Sequence, residues 1–270
     1  MHSQEQEGDG PELDLTAYLE RIGYAGELRP SLAVLQALHL AHATHIPFEN
    51  LDILLGRPIR LDLASLQAKL VASRRGGYCF EQNLLFSAVL RQLGFSVTQL
   101  AARVRYRTAS ILPRTHMLLL VDLAGERWLA DVGFGAEGLL LPVPMTSGQC
   151  FRQFAWTYRV VEEDGLWVLQ SRRDDAWLDL YAFSLEPQQA IDYEIANHYV
   201  STHPGSRFVQ MLTVQQLSPE VRHILRNHEL VEDHGDKQTV RTLADDDELL
   251  NVLDLLFGLQ FSPGTRFRCQ

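Results

Sequence analysis

A cysteine, a histidine and an aspartate in this chain have the types and surroundings needed to move an acyl group. Cys79 lies in RRGGYCFEQN (74–83), His116 in THMLLLV and Asp131 in WLADVGFG. In such a set a thiolate attacks a carbonyl carbon, an imidazole holds and returns a proton, and a carboxylate orients the imidazole. The Gly76–Gly77 pair permits a tight turn before Cys79. A helical run, FEQNLLFSAVLRQL, follows and is closed by Gly94. A cysteine at that helix start sits beside unpaired amides and the positive end of the dipole, and both favour thiolate. The plainer reading of a free cysteine is a small buried apolar side chain, so its partners must decide.

Of ten histidines, His39, His42 and His45 cluster in HLAHATH. No carboxylate or cysteine completes a metal set there, and they read as helix-surface or interface residues. His198, His203, His223, His228 and His234 read as solvated loop histidines. His116 opens an apolar strand that turns back through LAGE into RWLADVGFG. A two-residue hairpin loop at Ala124–Gly125 pairs Leu123 with Glu126. Carried outward, that register sets Leu118 opposite Asp131 and His116 opposite Gly133. His116 and Asp131 then share a face as diagonal neighbours about 7–8 Å apart at the backbone. Asp122 falls opposite Arg127 at the turn, nearly 20 Å from the histidine by strand rise, so roughly out of reach. Gly133 opposite the imidazole leaves open space on that face. The alternative is a strand histidine satisfied by a backbone carbonyl.

The elements that must hold these residues follow from periodicity. Helical patterns run over 14–24 with Asp14 as N-cap, over 30–45 and over 62–73, before the Cys79 helix. Period-two strands then occupy about 95–185, with turns such as AGE and EDG, as in an antiparallel sheet or small barrel. In the last stretch PQQAIDYEIANHYV reads as helix, and RFVQMLTVQQL and KQTVRTL as extended. DDDELLNVLDLLFGL reads as an amphipathic helix with acids on its first turn.

At 270 residues and 46% hydrophobic content, the chain can bury a large core in two or three small domains. The net charge of −10 argues against a nucleic-acid partner, whose phosphates need a basic face. MHSQEQEGDG lacks the apolar core of a secretory signal, and no apolar run is long enough to span a membrane. Three cysteines (Cys79, Cys150, Cys269) without a CxxC imply neither a disulfide framework nor a zinc site. The expected compartment is the cytoplasm.

Together RRGGYCFEQN, THMLLLV and WLADVGFG, with HIPFENLDI (45–53) and STHPGSRF (201–208), resemble the arylamine N-acetyltransferases over most of the chain. The resemblance, to compact bacterial-type members, implies an α+β fold with a cysteine-protease-like core. A helical bundle (1–94) would carry Cys79, an antiparallel β-barrel (95–185) His116 and Asp131, and an α/β lid (186–270) would cover them. It implies a Cys79–His116–Asp131 triad and ping-pong acetyl transfer from acetyl-CoA to small aromatic amines or hydrazines, without a metal, membrane or nucleic acid, in a monomer or homodimer. Phe48, Val104 and Phe134 match positions lining the arylamine pocket. Thr115, Gly133 and Phe134 match a segment against the thioester end of acetyl-CoA. Glu49 and Arg75 match a charged pair supporting the cysteine turn. The plainer readings are core packing for the apolar residues and surface charge for that pair. Competing functions are an amide synthase using a longer acyl thioester, a transglutaminase- or cysteine-protease-like hydrolase, and a non-enzymatic binding module.

Overall fold

The computed structural model describes residues 12–135 and 137–268; the MHSQEQEGDG segment and Cys269 lie outside the described residues. Side-chain caps set the first helices. Helix α1 (Leu15–Arg21) starts where Asp14 accepts from the Ala17 amide, and α2 (Leu32–His45) where Ser31 accepts from that of Val34. A two-residue strand, β1 (Phe48–Glu49), and a single turn, α3 (Leu51–Leu54), follow. The expected helix over 62–73 is two pieces: α4 (Leu63–Leu66), capped by Asp62, and a wider π-helical turn, Gln67–Ala72. That turn carries Lys69 to within 2.7 Å of Glu81 and 2.9 Å of Asp52, a long-range demand invisible to periodicity. Helix α5 (Cys79–Gln92) begins at the cysteine, and Gly94, at φ +89°, ends it as expected.

The strands that follow are β2 (Ser96–Val104), β3 (Arg114–Leu123), β4 (Glu126–Ala130), β5 (Val143–Pro144) and β6 (Cys150–Gln153). With β7 (Trp156–Glu163), β8 (Leu166–Arg173) and β9 (Ala176–Phe183) they form an antiparallel, nearly closed barrel in the order β5-β4-β3-β2-β9-β8-β7-β6. Strand β3 explains its own sequence. Met117, Leu119 and Val121 pack against the helices while Leu118 and Leu120 fill the barrel, so both faces are apolar and the run MLLLV does not alternate.

The last third holds α6 (Ala190–Thr202), α7 (Arg207–Gln210), β10 (Thr213–Leu217), β11 (Arg222–Arg226), β12 (Glu229–Asp233), β13 (Gln238–Thr242) and α8 (Asp246–Phe257). Here RFVQ is helical rather than extended, because Ser206 accepts from the Phe208 amide and starts a turn. The five-stranded sheet runs β1-β10-β11-β12-β13, so its first strand comes from the N-terminal third. Phe48 pairs with Gln215 on one side and bridges Gly77 on the other. No described helix is long and apolar enough to cross a membrane.

The glycine pair before Cys79 serves close approach rather than backbone freedom: neither Gly76 nor Gly77 has a positive φ, whereas Arg74 does, at +51°. A Cβ on Gly76 would collide with the Pro47 carbonyl oxygen, and one on Gly77 would lie 2.7 Å from Glu81 Oε2. Since backbone cannot yield as a flexible side chain does, Gly76→Ala should destabilise the protein by about 1–3 kcal/mol, the usual range for overpacking. Urea unfolding measures this, and an unchanged midpoint would show that the turn is not tight.

Candidate active site

Cys79 stands at the first position of α5, buried, with Sγ 3.6 Å from the Thr115 carbonyl oxygen at the start of β3. The helix start is fixed from below. Glu81, three residues after Tyr78, accepts from the Tyr78 amide at 3.1 Å and is itself held by Lys69. Gln82 donates to the Gly77 carbonyl at 2.8 Å, and its oxygen lies 3.1 Å from His42 Nε2. His42 Nδ1 in turn accepts from the Tyr18 hydroxyl at 2.8 Å. Burial lowers the His42 pKa to about 3, so the ring that braces this turn is neutral.

The β3–β4 hairpin has the expected register at its turn. Leu123 pairs with Glu126 and Asp122 with Arg127, and Ala124 and Gly125 both have positive φ, as a two-residue loop requires. The ladder stops at Leu119–Ala130, one pair before Asp131. Leaving the strand lets Asp131 turn into the interior, where Oδ2 lies 2.7 Å from His116 Nε2. Asn83 Nδ2 and the Gly133 amide donate to Oδ1 at 3.0 and 2.9 Å. Asp131 is fully buried and His116 nearly so. With Nε2 on the carboxylate, Nδ1 is the ring nitrogen left for the Cys79 side chain, with which the imidazole interacts.

The charges follow from this geometry. Burial alone disfavours imidazolium at His116, but the Asp131 carboxylate, then Cys79, outweigh it and raise its pKa to about 10. For Asp131 burial favours the acid form, and the His116 charge with the three donors outweighs it, holding the carboxyl below its usual range. Behind the pair, His39 Nε2 accepts from the Asp131 backbone amide at 3.1 Å, while Nδ1 donates to Leu140 O at 3.0 Å. Burial lowers the His39 pKa to about 4, which leaves a neutral ring with one fixed tautomer. His39 and His42 are therefore interior hydrogen-bonding groups, not surface ones; His45 is exposed.

Gly133 does not leave open space beside the imidazole. A Cβ there would lie 2.7 Å from Cys79 Cα and 2.8 Å from Asn83 Nδ2, so this glycine is where the barrel meets the helix start. The working space is a cleft of about 410 Å³ that reaches both Cys79 and His116. Phe48, Val104, Thr115, Gly133 and Phe134 all line it. The Phe134 ring meets the His116 ring edge-on at 5.0 Å, and Tyr181 covers another side of the imidazole at 4.7 Å. Glu49 and Arg75 do not reach the cleft. They pair at 2.6 Å beneath the turn, where Arg75 also meets Asp52 at 3.2 Å.

Asn83 was open to inference, since it lies four residues after Cys79 on one helix face and carries a donor. Glu81 likewise stands where an N-terminal capping carboxylate belongs. His39, Lys69 and Tyr181 carry no local signal, because their roles arise only when distant segments meet.

A family model described as N-acetyltransferase matches residues 31–265. An arylamine N-acetyltransferase of Escherichia coli (strain K12) is 41% identical over 248 residues, covering 91% of this chain and 88% of that protein. The crystal structure of the Nocardia farcinica arylamine N-acetyltransferase superposes with a TM-score of 0.88 at 43% identity, covering 93% of this chain and 91% of that one. The Mycobacterium marinum arylamine N-acetyltransferase, solved in complex with CoA, gives 0.87 at 36% identity, covering 91% and 92%.

The raised His116 pKa links the pair to stability. A histidine whose pKa rises from about 6.5 on folding stabilises the native state fully below that value. The contribution is lost as pH climbs through about 10. Urea unfolding between pH 6 and pH 10.5 should therefore show a declining component in the wild type that Asp131→Asn lacks. Parallel curves for the two proteins would contradict it.

Proposed function

We propose the chemistry that follows from one premise: this chain belongs to the arylamine N-acetyltransferase family and transfers acetyl groups to arylamines. Acetyl-CoA is the donor, and the transfer runs in two halves through Cys79. The thiolate of Cys79 attacks the thioester carbonyl, forming a C–S bond and a tetrahedral oxyanion. Amides of the first turn of α5, which have no partner one turn back, stabilise that oxyanion. Collapse breaks the bond to the CoA sulfur, which takes the proton from His116, and acetyl-Cys79 remains. The arylamine nitrogen then attacks the acetyl carbon and its proton passes to His116. The second collapse releases the amide and restores the thiolate–imidazolium pair. Asp131 holds the ring with Nδ1 towards the sulfur and supports its positive charge.

The observation that carries this reading is the 2.7 Å His116–Asp131 contact behind a cysteine that opens a helix. Burial of all three groups supports transfer over hydrolysis, since a thioester that must wait for an amine has to be kept from water. The cleft fits the substrates in kind: aromatic and branched side chains for the amine, and Thr115, Gly133 and Phe134 beside the thiol for the thioester end. We assign the roles along the chain as 1–94 for the nucleophile, 95–185 for the imidazole and carboxylate, and 186–270 as the lid. The reaction is placed in the cytoplasm, where thiols stay reduced, in a monomer or homodimer.

Acetyl-CoA without amine should add one acetyl group, located on Cys79 by intact mass and peptide mapping, and an aromatic amine should remove it. A Cys79→Ala protein that still gains the group and turns over would exclude the mechanism. Two carboxylates on one hairpin separate the roles further. Asp131→Asn should lower transfer by about 10⁴, as an Asp→Asn change does in serine triads. Asp122→Asn, exposed at the turn, should alter stability by no more than about 0.5 kcal/mol and leave transfer near wild type. Equal loss in two folded variants would overturn the assignment of Asp131.

A further inference from the structure

The interior holds a further set of charges that the reaction steps do not use. Glu137, Arg173, Arg222 and Asp233 meet where the barrel, the five-stranded sheet and the chain after Asp131 come together. Arg173 on β8 lies 2.8 Å from Glu137 and 2.5 Å from Asp233 on β12. Arg222 on β11 has no exposed surface, lies 3.5 Å from Glu137 and stacks 3.9 Å over the Trp156 ring. Among the described residues Glu137 is its only ion-pair partner. Replacing a buried ion pair by apolar packing is often neutral or stabilising, whereas removing one partner alone is strongly destabilising. The four charges thus supply one fixed geometry rather than net cohesion, and that geometry joins three separate segments.

Glu137 is the member of the set that reaches the cleft. Two routes run from it to the imidazole. Along the backbone, the Gly138 amide donates to the Gly135 carbonyl at 2.7 Å, next to Phe134. The Gly138 carbonyl in turn accepts from the Tyr158 hydroxyl at 2.7 Å and from Arg222 at 3.2 Å. Through side chains, the Tyr106 hydroxyl donates to Glu137 at 3.4 Å, and its ring meets Phe134 edge-on at 6.5 Å. Both routes end on the Phe134 ring, which lies edge-on to the His116 imidazole at 5.0 Å.

We propose that Glu137 is a positioning residue of the transfer reaction: held by Arg173 and Arg222, it keeps Phe134 against the imidazole so that acetyl-Cys79 is shielded from water. Arg222 and Asp233 bring the sheet of the last third into the same anchor, so that sheet helps to keep the thioester covered. Loss of the cover lets water add to the acetyl carbon while His116 takes a proton from it. The C–S bond then breaks, acetic acid leaves and the thiolate–imidazolium pair returns, with no amine acetylated. This assignment rests on the acetyl-cysteine reading and deepens it.

The test follows the acetyl group on pre-acetylated enzyme, freed of acetyl-CoA, by intact mass in buffer alone and with aniline. Wild type, Glu137→Gln, Glu137→Asp and Tyr158→Phe are compared by the ratio of the hydrolysis rate constant to that of transfer. Only folded protein acquires the group, so a merely structural role lowers the urea midpoint and leaves this ratio alone. In Glu137→Gln the ratio should rise about tenfold or more, since a misplacement of about 1 Å can cost about 10²-fold in the productive reaction. Glu137→Asp should recover part of the loss. Tyr158→Phe removes no charge and releases the Gly138 carbonyl, so it should raise the ratio in the same direction by less. An unchanged ratio in Tyr158→Phe and in folded Glu137→Gln would overturn the assignment. Should Glu137→Gln fail to fold, an unchanged ratio in Tyr158→Phe alone would overturn it. A wild type that never carries the acetyl group would instead sink the acetyl-cysteine reading itself.

Discussion

A carboxylate with no access to water organises this molecule. Removing an ion such as Asp131 from solvent costs several kcal/mol, which only opposite charge and a full set of donors can offset. The fold supplies both from separate parts of the chain. β3 brings His116, α5 brings Asn83, and the bend after β4 brings the Gly133 amide. His39 on α2 anchors the backbone of the same residue. Losing His116 leaves the ion unpaired in a low-dielectric interior, and losing Asn83 or the Gly133 amide leaves it short of a donor, so helix, barrel and hairpin have one common position. The raised proton affinity of His116 follows from that constraint.

Cys79 is held by a second interior network on the other side of α5. Glu49, Asp52 and Glu81 meet Arg75 and Lys69 beneath the turn, while Gln82, backed by His42 and Tyr18, donates to the Gly77 carbonyl. The two networks meet across Gly133, whose missing side chain lets the barrel approach Cys79. Because Phe48 joins Gly77 to the five-stranded sheet, the last third of the chain is tied to the same turn and contributes Thr213, Gln215 and Arg226 to the cleft.

The local part of this was legible in the chain itself. Cys79 at a helix start, Gly94 at its end, and a two-residue loop pairing Leu123 with Glu126 each depend on neighbouring residues, and each appears in the structure. The hairpin register by itself places Asp131 and His116 on one face. Family resemblance added the cleft-lining positions, Phe48, Val104, Thr115 and Phe134, which no spacing would have indicated. What failed was non-local. The glycine pair suggests conformational freedom, yet it serves close contact with Pro47 and Glu81. Gly133 suggests open space, yet a Cβ there would meet Cys79. For His39 and His42 the sequence leaves surface and interface positions open, because a single helix pattern cannot show that both of its faces are covered.

The charge on His116 is the point on which site and fold meet, and nitrogen-15 NMR of histidine-labelled protein observes it directly. If Asp131 holds a buried imidazolium, both ring nitrogens of His116 carry protons at pH 8, and they titrate together near pH 10. In Asp131→Asn the same resonances should move to a neutral ring at pH 8. A wild-type His116 that is neutral at pH 8, titrating near its unperturbed value of about 6.5 and unmoved by Asp131→Asn, would contradict the ion pair and everything built upon it.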